Sequence, residues 1–283
     1  MDTERRTLRL PRPEGTLAYD DAGTGPLVVL VPGMGDLRTT YDELRGALLA
    51  AGYRVVTTDL RGHGDSDAGF ARHGDEATAE DVAALVEHLA AGPAVLVGNS
   101  MGASAAVVVA VDRPELVRGV ALLAPFLRDP AQPAAVRALL PVVYRAMLAA
   151  PWGAAAWAAY YRSLNRGTRS PRLAAHSTAI RASLRRPGYL RAFRALTLAL
   201  THAPVEARLP RLRVPALAVV GAQDPDWRDP AAELAWIRDA VGARTLLVED
   251  AGHYPQHQAP AVVAEAVLGL LADVAPAGPV ARA

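Results

Sequence analysis

The feature that most limits how this chain can fold is an alternation, between residues 27 and 123, of short apolar runs with helix-forming segments. Leu27-Val-Val-Leu-Val31 is unbroken apolar sequence, bounded by Gly25-Pro26 before it and Pro32-Gly33 after it. A strand covered on both faces reads this way, because neither face needs polar residues. Tyr53 to Thr57, Ala94 to Val97 and Val117 to Leu123 repeat the pattern, and helical stretches near 39–51, 77–90 and 101–111 separate them. The second of these helices is expected to open on Thr78 as its cap, with Glu80 and Asp81 in the first turn. Strands spaced by helices in this way imply a parallel sheet with right-handed crossovers. Ahead of them, Thr7 to Leu10 and Thr16 to Tyr19 flank the turn residues Pro13 to Gly15 and read as an antiparallel hairpin.

The alternation stops at Pro125. Residues 127–205 hold no convincing strand, only Ala/Leu/Arg helices broken at Pro133, Pro141, Pro151, Pro171 and Pro187. The sheet pattern then resumes with Pro215 to Val220, a helix over 230–241, Thr245 to Val248 and a last helix over 260–272. Asp229-Pro230 has the form of a helix start, Asp capping and Pro at the first position. Ala275 to Ala283 is a Pro/Gly/Ala-rich tail expected to fray. The reading is therefore one α/β domain, residues 1–126 and 206–283, interrupted by a helical insert at 127–205.

Composition narrows the classes. With 283 residues, 51% of them hydrophobic, and a net charge of +1, the chain has the material for a large core and none of the signature of disorder. It has no cysteine, which excludes disulfides, thiolate nucleophiles and Cys-based metal sites. Its apolar runs, such as Ala105 to Val111, fall far below the ~18 residues of a membrane span. Met1-Asp-Thr-Glu-Arg-Arg6 is charged with no apolar stretch behind it, so a cytoplasmic protein without a secretory leader is expected. Charge is balanced in sum but not along the chain. All 30 basic residues are Arg, as compositional bias alone would give, yet 11 of them lie between Pro130 and Val205, where no Asp or Glu occurs. That stretch carries +11 against a chain total of +1, hence −10 elsewhere. No nucleic-acid-binding motif accompanies these arginines, so nucleic acid is not the expected partner.

Chemistry is concentrated in three places. Gly98-Asn-Ser-Met-Gly102 follows a buried strand and opens a helix, the context a G-x-S-x-G nucleophile turn requires. So tight a turn strains Ser100, and the flanking glycines remove side chains that would clash. The N–H of Met101, in the first helical turn, points toward developing negative charge. A serine nucleophile needs a base, and the base an orienting acid. His253, in Asp250-Ala-Gly-His-Tyr-Pro255, follows the strand ending at Val248, and Asp224, in Gly221-Ala-Gln-Asp224, follows another strand. Asp226 and Asp229 are rivals for the acid. His253 and His257, four residues apart, invite a metal reading, against which Pro255 between them interrupts a continuous helix face.

These segments, with Val31-Pro-Gly-Met-Gly35 and Asp59-Leu-Arg-Gly-His-Gly-Asp-Ser66, resemble the α/β-hydrolase fold family in order and spacing over nearly the whole chain. The resemblance implies a mostly parallel, eight-stranded twisted sheet flanked by helices, with a helical cap. It makes Ser100, Asp224 and His253 the catalytic triad and the N–H groups of Met34 and Met101 the oxyanion hole. Many members carry His before the glycine of the first segment, where this chain has Pro32; the backbone donor is unaffected. Some relatives place the acid after the sixth strand, where Asp129 sits. Arg61 to Ser66 reads as a structural turn near the site, with His63 not the base. The implied activity is a serine carboxylesterase-like hydrolase needing no cofactor or metal, acting on a small ester or acyl substrate, an anionic or carrier-bound one if the Arg excess is functional. Thioesterase, C–C hydrolase, lyase or cyclase and cofactor-free perhydrolase chemistry use the same triad, and a non-enzymatic ligand sensor is a further alternative. Trp152, Trp157, Tyr160 and Tyr161, four aromatics within ten residues of the insert, are candidates both for a substrate pocket and for packing the insert onto the sheet.

Overall fold

The computed structural model describes residues 6–275; the remaining residues, which hold most of the charged start and of the tail discussed above, lie outside the described residues. Eight strands form one sheet: β1 (Thr7–Arg12), β2 (Gly15–Ala22), β3 (Leu27–Val31), β4 (Arg54–Thr58), β5 (Ala94–Asn99), β6 (Val117–Leu123), β7 (Ala216–Gly221) and β8 (Arg244–Val248). Their order is β1-β2-β4-β3-β5-β6-β7-β8. The β1/β2 hairpin and the β2/β4 pair are antiparallel, and every pairing from β4 through β8 is parallel. The expected fold is the observed one.

The apolar runs explain the layering. In β3 all five side chains are buried, with Val28 and Leu30 on one face and Leu27, Val29 and Val31 on the other. The first face is covered by α1 (Asp42–Ala50) through Leu44 and Leu48 and by α11 (Pro260–Asp273) through Val263, Val267 and Leu270. The second is covered by α2 (Asp75–Leu89), α3 (Met101–Asp112) and α9 (Pro230–Val241) through Val82, Leu85, Val107, Leu234 and Ile237. At about 25 cal/mol per Å² of apolar surface removed from water, these two layers are the main favourable contribution to the fold.

Between β6 and β7 run α4 (Ala134–Met147), α5 (Gly153–Leu164), α6 (Leu173–Leu184), α7 (Tyr189–Ala199) and the short α8 (Ala203–Glu206); α10 (Pro255–Gln258) follows β8. Two local expectations are corrected. Pro141 does not break α4 but lies inside it. Proline cannot donate to the carbonyl four residues back, that of Arg137, but Arg137 is exposed and water can take that bond. The second helix opens at Asp75 rather than after Thr78. Gly74, at φ 102°, precedes it, Asp75 and Glu76 are its first-turn acids, and Thr78 is buried within it. Asp229 caps α9 as expected, accepting from the Ala232 N–H at 2.9 Å.

Candidate active site

Strands β5, β7 and β8 deliver the reactive side chains at their carboxyl ends, where open α/β sheets place functional groups. Ser100 follows β5 directly, at φ 53° and ψ −119°. This is a strained conformation for a residue with a side chain, of order 1–3 kcal/mol. It is held by the Ser100 N–H donating to Leu123 O at 2.9 Å, at the end of the adjacent β6. The glycines allow the turn to close. A Cβ at Gly98 would lie 2.3 Å from the Gly102 carbonyl group, and one at Gly102 would lie 2.3 Å from Val31 O. Ser100 itself is half-buried, open to an approaching molecule.

Asp224 and His253 lie in the loops after β7 and β8. His253 Nδ1 is 2.8 Å from Asp224 Oδ2 and 3.4 Å from Asp226 Oδ2. Both carboxylates therefore address one ring nitrogen, which fixes the Nδ1–H tautomer and leaves Nε2 as the basic atom. Burial by itself lowers the pKa of this imidazole, but Asp224 and Asp226 outweigh it and raise it to about 9. The Asp226 carboxyl is in turn pushed up, first by burial and then by the charge of Asp224. Asn99 couples the serine turn to the histidine loop, its side-chain amide donating to Leu123 O and His253 O at 3.1 Å each. Tyr254 and Phe126 pack on the imidazole at 5.1 and 5.8 Å between ring centres. Among the described residues no hydrogen bond joins Ser100 Oγ to the imidazole. Such bonds are often long without substrate and tighten in the complex.

Gly33 to Asp36 forms the opposite wall. A Cβ at Gly33 would come 3.0 Å from Ser100 Cβ, so this segment abuts the serine. Its Asp36 N–H closes on Gly33 O at 3.3 Å with Gly35 at φ 72°, the positive angle a type II turn needs at its third position. The turn is gripped from several sides. The Gly35 N–H donates to His63 Nε2 at 2.9 Å, and Gly35 O accepts from Trp157 Nε1–H at 2.8 Å. Asp36, fully buried, meets His176 Nε2 at 2.6 Å and Tyr161 OH at 3.3 Å. His63 must be the Nδ1–H tautomer, donating to Arg61 O at 2.9 Å, and burial lowers its pKa to about 4. His63 is thus no base but a fixed acceptor for the turn. Among the described residues no hydrogen bond occupies the N–H of Met34 or of Met101.

The four aromatics of the insert have different surroundings. Trp157 and Tyr161 are buried and hold the turn, Tyr161 also packing on Tyr254 at 4.3 Å between ring centres. Tyr160 is partly exposed and donates to Asp226 Oδ1 at 3.2 Å. Trp152 lies apart, 55% exposed, its indole N–H donating to Ala146 O at 2.9 Å. Asp129 is engaged elsewhere, accepting from the His202 N–H and Thr201 Oγ1 at 2.7 Å each. His257 packs against His176 at 5.3 Å rather than pairing with His253. Among the described residues Asp224, Asp226 and His253 are the one cluster whose ligand atoms, within 4.8 Å of one another, could hold a metal ion. A cation there would compete with the Nδ1 proton that the carboxylates share. Phe126 and Trp227, in contact at 4.9 Å between ring centres, were not singled out from sequence, nor were Asp36 and His176. A lone acid directly after the glycine turn was the available signal for Asp36.

A parallel sheet with a strained serine turn, an Asp–His pair at neighbouring strand ends and a helical insert above them defines a class of α/β enzyme scaffolds. The alpha/beta hydrolase family model matches residues 28–266, and the chain belongs to that family. In solved structures it is similar over 96% of its length to the whole of a thermophilic esterase from Thermogutta terrifontis, with 27% identity and a TM-score of 0.76. It is 45% identical over 111 residues to BpoC of Mycobacterium tuberculosis, whose name proposes a non-heme bromoperoxidase; this stretch is 38% of the chain and 41% of that relative. It is 36% identical over 112 residues to an sn-1-specific diacylglycerol lipase of Mus musculus, 38% of the chain and 35% of that protein. The matches thus span about two fifths of these curated relatives.

Proposed function

We propose that the protein is a serine hydrolase that cleaves a carboxylic ester, or a related acyl bond, of a small and partly apolar substrate. The observation that carries this reading is the buried 2.8 Å pairing of His253 Nδ1 with Asp224, in the loops beside the strained Ser100 turn. Ser100 Oγ attacks the carbonyl carbon while its proton passes to His253 Nε2. The imidazolium, stabilised by Asp224, then protonates the leaving alcohol, and an acyl-enzyme remains on Ser100. Water, deprotonated by the same nitrogen, attacks the acyl carbon, releasing the acid and restoring the serine. The N–H groups of Met34 and Met101 hold the oxyanion in both steps; each such donor is typically worth about 2.7–4 kcal/mol. The scheme draws on side chains and backbone N–H groups of the chain and on water. Helices α4 to α8 act as a cap, with Tyr160 on Asp226, Phe126 against His253 and Trp227 against Phe126, and with Trp157 and Tyr161 as its anchors on the core.

The similarity to the thermophilic esterase supports ester cleavage, and that to BpoC supports a second reading. In it hydrogen peroxide replaces water against the same acyl-enzyme and the product is a peracid. Labelling with a fluorophosphonate probe tests the nucleophile: Ser100→Ala is expected to abolish labelling with the fold intact, and undiminished labelling overturns the assignment. Turnover of p-nitrophenyl esters with and without peroxide, followed by peracid detection, separates the two readings.

A further inference from the structure

Helix α4 carries a broad apolar face, and only one flank of it is covered. Leu140, Tyr144 and Met147, spaced as neighbours on one helical face, are half-buried toward the protein, Met147 packing against the main core. Next to it Val136, Leu139 and Val143 form a second stripe, flanked by Val142, and all four are exposed, by 45 to 57%. Trp152 extends the stripe. Its indole is tied to Ala146 O near the end of α4 and is 55% exposed. Five large apolar side chains left bare on and beside one helix mark a candidate contact surface.

The charge around this patch selects its occupant. Arg137 and Arg145 lie on α4 and are exposed, and the stretch 130–205 carries 11 Arg and no acidic residue. Of those arginines, ion pairs among the described residues hold Arg172, to Asp42, and Arg186, to Asp65. A second copy docked on this face would bring Arg137 and Arg145 of each chain, and the acid-free stretches that carry them, toward one another, a repulsive arrangement. An anionic lipid surface offers the complementary pair, negative headgroups for the arginines and acyl chains for the stripe. With −10 on the rest of the chain, such a surface also orients the molecule, insert inward and sheet domain outward.

We propose that the bare face of α4, with Trp152, docks the protein on anionic lipid. It lies on the surface and does not span it; among the described residues no helix is long and apolar enough to cross a membrane. The sequence, which holds no spanning run, points to no membrane as partner, and docking on lipid departs from that expectation.

Cosedimentation of the full chain with vesicles tests this. Binding is expected to vesicles of phosphatidylcholine mixed with phosphatidylglycerol, weak binding to phosphatidylcholine alone, and loss of binding in about 0.5 M salt. Leu139→Glu with Val143→Glu is expected to weaken binding by about tenfold or more. Arg137→Gln with Arg145→Gln is expected to weaken it only on the anionic vesicles. Both pairs are exposed, so an unchanged thermal midpoint serves as the control for folding. Failure to bind the mixed vesicles, or equal binding by wild type and the Glu pair, overturns the proposal. So does a dimer in sedimentation velocity that the Glu pair splits, which would assign the face to a second copy. Binding is read without turnover, so the outcome is independent of the reaction proposed above.

Discussion

Asp226 offers the sharpest test of the electrostatics around His253. Its Oδ2 lies 3.4 Å from Nδ1, beside the closer Asp224, and together they hold the imidazole pKa at about 9. A general base must be neutral, so kcat/KM is expected to rise with pH through that value. Replacing Asp226 with Asn removes one of the carboxylate charges, those of Asp224, Asp226 and the more weakly acting Asp36, that favour the imidazolium. At 3.4 Å a unit charge is worth about 1.2 kcal/mol at the dielectric of water and about 5 kcal/mol at an effective dielectric of 20. Asp226 is partly exposed and its own carboxyl is pushed up, so the lower part of that range applies. At 1.36 kcal/mol per pH unit, the acid limb should move about one to two units toward lower pH. Below the limb each unit moved raises the neutral fraction about tenfold, while the alkaline plateau falls by less, because a weaker base loses only part of that factor in the transfer step. Asp226→Asn should therefore be the faster enzyme at neutral pH and the slower one at high pH. The assay is kcat/KM for a soluble p-nitrophenyl ester across pH 6 to about 10, corrected for spontaneous hydrolysis. A limb unmoved by the substitution would refute the claim that Asp226 acts as a second carboxylate on this imidazole.

Two further outcomes follow from the grip on the Gly33–Asp36 turn. Trp157→Phe keeps a ring against Phe193 but removes the donor to Gly35 O, leaving a buried carbonyl unpaired; a stability loss of about 1–3 kcal/mol by denaturant unfolding is expected. If the Met34 N–H binds the oxyanion, kcat should fall up to about 10²-fold with KM little changed. His63 has its native pKa lowered to about 4, so the unfolded chain binds its proton first as pH drops. The stability from keeping it neutral is therefore complete above pH ~6.5 and is lost as pH falls toward 4, by about 3 kcal/mol. His63→Gln should flatten the acid side of a plot of thermal midpoint against pH, and an unchanged slope would contradict the assigned burial.

Local sequence made much of the fold legible. Val28 to Leu30 and Ala218 to Val220 are short apolar runs, bounded by turn residues, of the kind a sheet covered on both faces accommodates, and β6 and α9 fall where residue pattern alone puts them. The serine turn was visible because its geometry depends on residues at fixed offsets, Gly98 and Gly102, that no long-range packing substitutes for. What escaped were pairings across long stretches of chain. Asp36 and His176 are 140 positions apart, and neither carries a local signature of the other. The start of α2 differs from the expectation because a threonine looks like a cap in sequence, whereas Gly74 lets the chain enter four residues earlier. Pro141 looked like a stop because sequence does not say whether the freed carbonyl meets solvent.

The same long-range contacts alter what the insert does. Peptide groups on both sides of the Gly35 Cα are held, the N–H by His63 from the sheet domain and the carbonyl by Trp157 from α5, while Asp36 is held by His176 from α6. A type II turn differs from type I by the flip of its central peptide, the one that contains the Gly35 N–H. That N–H is fixed by His63, whose lone pair faces it only in the neutral ring; the neighbouring carbonyl is fixed only while Trp157 is seated. Lifting α5 and α6 would strip partners from a buried carbonyl and a buried carboxylate together, at a cost well above that of breaking one surface contact. The insert is thereby coupled to the turn beside Ser100. A substrate that enters by displacing these helices would meet an unset turn, and closure over the substrate would set the turn again.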